Sequence, residues 1–165
     1  MSLVQEAELL RRIPLFADIE LAKLKLLAFT SERVAFEAGK CLFRQGDAAD
    51  AAYIIIEGDA DVIVESPGGA VTIARLGQND FVGEIAILCD MPRTATVRAV
   101  TRLVTLRISK DLFIRLINEF PRMAVAMMRE LARRLENTNK QLRTTLAEIE
   151  HLRRAEARGL RRNPA

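Results

Sequence analysis

Between Val82 and Ala95 the chain reads VGEIAILCDMPRTA, with a carboxylate at Glu84, a guanidinium at Arg93, and Gly83 and Pro92 beside them. Such an acid and base can serve catalysis, form a structural ion pair, or hold a ligand that carries both hydroxyls and an anion. A guanidinium stays protonated at every relevant pH, so the two cannot work as a proton-shuttling pair. A surface ion pair contributes only about 0–1 kcal/mol and leaves the flanking glycine and proline unexplained. The ligand reading accounts for more. Gly83 permits close backbone approach, and EIAIL can form one helical turn whose free N–H groups point at an anion. Arg93 can clamp two phosphate oxygens, and Glu84 can accept a hydrogen bond from a sugar hydroxyl.

A chain of 165 residues suits one domain with an appendage. Half of the residues are hydrophobic and 28% are charged, a globular composition. No run is apolar enough for a membrane span and the start has no signal-peptide profile, so the expected location is the cytoplasm. Cys41 and Cys89 stand far apart, with no CxxC spacing, which fits reduced thiols and argues against a zinc site. His151 is the single histidine. A metal-dependent barrel enzyme needs several inward histidines, and a haem or cluster sensor needs its own ligands, so no metal or cofactor and no enzymatic activity are expected.

Residues 3–30 carry leucines at helical intervals interrupted by Pro14, with Asp18 as the expected N-cap of a second helix. From Val34 to Ile108 the period changes to two, in short segments such as AAYIIIEG, ADVIVES, AVTIARLG and LVTLRI. Seven of the eight glycines fall between residues 39 and 83, and SPGG at 66–69 reads as a hairpin tip. The expected fold class is α+β: an antiparallel β-roll of double-stranded β-helix, jelly-roll-like form, flanked by N-terminal helices and a long C-terminal coiled-coil helix. The expected division is a helical segment 1–30, the roll 31–109, C-terminal helices 110–158 and a basic tail 159–165.

Past Pro121, Met128, Leu135, Leu142 and Ile149 recur at sevens, with Leu131, Thr138, Thr145 and Leu152 three residues after each. This a/d pattern predicts a coiled coil and a homodimer through the C-terminal helix. Two d positions hold threonine, a weak seam residue. The net charge is +3, but five arginines against Glu156 after residue 151 leave the rest near neutral. Cations favour a helix C-terminus, so a solvated helix end explains that tail.

A ligand with a phosphate and a ribose hydroxyl held close together is a cyclic nucleotide, and GEIAILCDMPRTA resembles the phosphate-binding cassette of the cyclic nucleotide-binding domain family. FEAGKCLFRQGD at 36–47, AYIIIEGDADV at 52–62 and TIARLGQNDFVGE at 72–84 extend the resemblance. It implies that Glu84 binds the ribose 2′-hydroxyl and Arg93 the cyclic phosphate, with the backbone of Gly83, Ile85, Ala86 and Ala95 completing the cradle. Ile73 would lie in the apolar floor. Val82 departs from an aromatic common in the family. Thr94 can contact guanine in some members, yet cAMP binders carry hydroxyls there too. ARRLENTNKQ at 132–141 is similar to the dimer helix of bacterial catabolite activators, which implies base contacts from Thr138 and Asn139, so cAMP is favoured over cGMP. A polar residue that merely fixes register remains the alternative for Thr138.

The resemblance implies a sensor that couples nucleotide binding to rearrangement of the dimer helix. No helix-turn-helix reader or kinase motif follows, so DNA binding by this chain alone is not supported and the downstream effector is unknown. The alternatives are a sensor fragment of a longer transcription regulator or channel, or a dimerisation scaffold that has lost its ligand.

Overall fold

The computed structural model describes residues 2–161, so the last part of the expected basic tail lies outside the described residues. The chain forms two compact units that divide after Ala124. In the first, α1 (Leu3–Arg11) opens with a capping box: the Ser2 hydroxyl accepts from the Gln5 amide at 3.3 Å and the Gln5 side chain accepts from the Ser2 amide at 2.9 Å. Pro14 starts a 3₁₀ turn, Pro14–Phe16, and α2 follows at Leu21–Thr30.

Asp18 does not cap α2. Glu20 holds that position without a side-chain capping bond. The Ile19 amide donates to the Phe16 carbonyl at 3.0 Å, and this turn buries Ile19, so the helix begins two residues later than the capping signal suggests. Burial of an apolar side chain here outweighs a local cap, a contest that sequence rules cannot weigh.

Eight strands follow: β1 (Glu32–Phe36), β2 (Cys41–Phe43), β3 (Ala51–Glu57), β4 (Ala60–Ser66), β5 (Gly69–Leu76), β6 (Phe81–Val82), β7 (Thr96–Ala99) and β8 (Leu103–Ser109). They form two antiparallel four-stranded sheets, ordered β1-β8-β3-β6 and β2-β7-β4-β5. The expected antiparallel roll with N-terminal helices and a long C-terminal helix is what the chain adopts. The hairpin tip at 66–69 is also present, with Ser66 opposite Gly69 in the β4–β5 ladder.

The roll interior is apolar, built from Tyr53, Ile55, Val97 and Leu103 among others, and Tyr53 joins Phe36 and Phe43 in an aromatic cluster. Its fully buried Thr105 is satisfied by donating its hydroxyl to the Val34 carbonyl at 3.1 Å. After β6 comes the short helix α3 (Glu84–Leu88), and β8 leads into α4 (Lys110–Glu119). The second unit consists of the continuation of α5 (Pro121–Arg161) beyond Ala124.

Gly58, between β3 and β4, has φ +92°, and a Cβ there would lie 2.3 Å from the Arg102 carbonyl oxygen. Both the backbone angle and the contact exclude a side chain. Gly58→Ala is therefore expected to destabilise the first unit by about 2–3 kcal/mol, read as a lower urea midpoint at unchanged slope.

Candidate functional site

The pairing of β6 with β3 sets the geometry of the site. Val82 lies opposite Tyr53 and Phe81 opposite Ile54, which carries Gly83, the next residue, alongside the start of β3. Gly83 has φ +88° and occupies the N-cap of α3 without any side-chain cap. A Cβ at this point would sit 2.7 Å from Nη1 of Arg93, 3.2 Å from the Phe43 ring and 3.3 Å from the Ala51 carbonyl oxygen. Only glycine lets the strand end, the arginine and the ring approach this closely.

Arg93 is 2% exposed. Its Nη1 donates to the Gly83 carbonyl at 2.8 Å, and its Nη2 donates to the Ala51 carbonyl and, at 3.4 Å, to Asp50. Asp50 also accepts from Arg107 at 2.9 Å, so one carboxylate is shared by two guanidinium groups. Burial lowers the pKa of Arg93, and the negative charge of Asp50 opposes that shift. The group remains a cation, because a guanidinium is not deprotonated in proteins. Its Nε is buried and has no hydrogen-bond partner. A buried unsatisfied donor on a charged group costs about 1–3 kcal/mol or more, so it marks a place where a further acceptor would be welcome.

Glu84 is also 2% exposed and lies in the first turn of α3, where the helix N-terminus favours a carboxylate. Ala86 and Ala95 are buried nearby in sequence, whereas Ile85 and Thr94 are exposed. The segment thus alternates buried anchors with exposed positions. Ile73 is 53% exposed on β5, a strand whose residues from Gly69 to Arg75 are all exposed. In the second unit the Thr138 hydroxyl is exposed and donates to the Arg134 carbonyl at 2.9 Å, while Asn139 is half-buried.

Three residues that hold Arg93 were not singled out by sequence reasoning: Phe43, Asp50 and Ala51. Ala51 acts through its carbonyl, which no side-chain pattern signals. Asp50 and Phe43 lie 43 and 50 positions away from Arg93, and only the sheet order brings them to it. Among the described residues there is no group of His, Cys, Asp and Glu able to hold a metal ion, and no helix long and apolar enough to cross a membrane.

Residues 33–120, more than half of the chain, match the model of the cyclic nucleotide-binding domain. The chain belongs to that family. Over 108 residues it is 36% identical to a cAMP-dependent protein kinase regulatory subunit of Yarrowia lipolytica, covering 66% of this chain and 28% of the relative. It is 29% identical over 136 residues to the CRP-like cAMP-activated global transcriptional regulator of Mycobacterium tuberculosis, covering 82% of this chain and 61% of that protein. The chain therefore spans less than two thirds of either relative. Among solved structures, the catabolite activator protein of Thermus thermophilus superposes with a TM-score of 0.69 at 29% identity, covering 78% of this chain and 61% of that one.

In this cyclic nucleotide-binding domain Gly83→Ala would push a methyl group into the Arg93 guanidinium and force a left-handed backbone onto alanine. We expect a loss of about 2 kcal/mol of stability in urea unfolding, together with a displaced Arg93 side-chain signal in NMR spectra.

Proposed function

We propose that this domain is a sensor for cyclic nucleotides, with cAMP favoured over cGMP, and that binding rearranges a dimer helix formed by the C-terminal segment. The carrying observation is the buried Arg93 cation, which retains an unpartnered Nε beside a glycine-started helical turn. A cyclic phosphate supplies the acceptor oxygens that such a group lacks. Glu84 takes the ribose 2′-hydroxyl, and the backbone of Gly83, Ile85, Ala86 and Ala95 forms the cradle. Ile73 contributes apolar surface to the floor, Thr94 lies beside the phosphate, and Thr138 with Asn139 meets the base. The reading of cAMP draws support from the two curated relatives, both of which have cAMP in their names.

The proposed division of the chain is a helical stretch 1–30, the roll 31–109 with its cassette at 82–95, the C-terminal helices 110–158 and a basic tail 159–165. The function is regulatory, without catalysis, and the proposed setting is the cytoplasm. Homodimerisation is supported by the exposed heptad stripe of α5, in which Met128, Leu135, Leu142, Ile149 and Leu152 all face outward from their own helix. In a longer regulator or channel the same domain would serve as its sensor. A scaffold without ligand is the opposing reading.

Ligand action requires unequal affinity for two arrangements of the dimer helix. Calorimetric titration of the purified chain with cAMP and cGMP side by side is expected to give binding of both, tighter for cAMP. Arg93→Lys keeps the charge but loses the planar fork, and is expected to weaken binding at least about tenfold with the fold intact by circular dichroism. Unaltered affinity in this variant, or no binding of either nucleotide by the parent, would overturn the assignment.

The dimer has its own test. Leu142→Glu places a charge in the middle of the seam and is expected to convert the dimer to monomer in sedimentation equilibrium, while leaving the roll folded.

A further inference from the structure

The central carbon of the Arg93 guanidinium lies over the Phe43 ring, 4.0 Å from the ring centroid. Nothing in the carboxylate and carbonyl contacts of Arg93 requires an aromatic residue there. The ring is nevertheless held firmly: Phe43 is buried, it sits at the end of β2 opposite Val97, and its ring centroid is 6.0 Å from that of Tyr53. Gly83 removes the side chain that would otherwise press on it, since a Cβ there would be 3.2 Å from the ring edge.

The turn that follows Phe43 also grips the arginine from the backbone side. The Gly46 amide donates to the Arg93 carbonyl at 2.8 Å, and the Arg93 amide donates to the Asp47 carbonyl at 2.8 Å. The Arg44 amide in turn donates to the Asp47 carboxylate at 3.0 Å, which closes the turn. Residues 43–47 therefore fix both ends of Arg93, its main chain and its charged plane.

We infer that Phe43 is a positioning residue for nucleotide recognition. A ring face under a guanidinium sets the plane in which the N–H donors point and attracts the cation through the negative face of the ring. With Nη1 donating to the Gly83 carbonyl and Nη2 to the Ala51 carbonyl and Asp50, Nε is the nitrogen without a partner, and the fixed plane sets the direction from which it would meet an incoming acceptor. Pre-setting that plane removes a rotational cost from binding, because the arginine need not search for its orientation when the phosphate arrives. This inference rests on the cyclic nucleotide reading above, and it adds a residue that would not touch the ligand.

The test separates ring electrostatics from ring volume. Phe43 is replaced by Leu, by Tyr and, through nonsense suppression, by pentafluorophenylalanine, which keeps the shape and reverses the charge distribution of the face. Binding of cAMP is measured by calorimetry, the fold by thermal melting, and the Arg93 Nε–Hε resonance is followed in the nucleotide-free protein. Leu and pentafluorophenylalanine are expected to weaken cAMP binding about tenfold and to shift that resonance, whereas Tyr stays within about twofold of the parent. The melting temperature of the pentafluorophenylalanine protein is expected to fall by several degrees, because the buried cation loses its attraction to the ring, while the protein stays folded at the temperature of the titration. Equal affinity across all three replacements, in a parent that binds cAMP, would overturn the role of Phe43 alone. Failure of the parent to bind either nucleotide would instead overturn the functional reading, and an Arg93 resonance indifferent to the loss of the ring would overturn the stacking itself.

Discussion

The buried charge of Arg93 is the constraint around which the roll is organised. Removing a guanidinium from water is costly unless its donors find acceptors, and few acceptors are free inside an antiparallel roll, where the ladders consume the backbone carbonyls. Free carbonyls occur where strands start or stop. Ala51 begins β3 and Gly83 follows β6, so both offer oxygens that the ladder leaves available at the place where Arg93 enters. Asp50, one residue before β3, adds a partial counter-charge from the exposed side.

This arrangement explains why the site is rigid on one side and incomplete on the other. The protein satisfies two of the three guanidinium nitrogens and leaves Nε without a partner. Full satisfaction would make the charge a structural device and nothing more. Partial satisfaction keeps a cation in place, well packed and dry, where an anion gains more from it than from a solvated side chain. The glycine at 83 and the ring at 43 serve the same end, since close packing is what excludes water from the remaining edge.

The periodicity of the sequence made most of the scaffold legible. The change of period near Val34 and its return after Lys110 mark the roll, and EIAIL forms the helical turn its composition suggests. The strands β2 and β6 fall inside the quoted stretches FEAGKCLFRQGD and TIARLGQNDFVGE, but three and two residues are too few for an alternating pattern of their own to declare itself. The misplaced start of α2 has a different origin: Asp18 is a good cap in isolation, but the chain instead turns back at Phe16 and buries Ile19.

Glu84 and Arg93 could be singled out from their chain positions, because a short motif encodes which groups are present and how far apart they stand along the backbone. What no local pattern encodes is the company they keep. Phe43, Asp50 and the Ala51 carbonyl reach Arg93 only through pairings between strands distant in sequence, and those pairings follow from the burial of the entire core. The residue types and their spacing thus determined the chemistry this chain can offer. The burial of the charge, the acceptors that hold it and the nitrogen left without a partner were decided by tertiary structure, since each depends on the summed packing of residues that no short window contains.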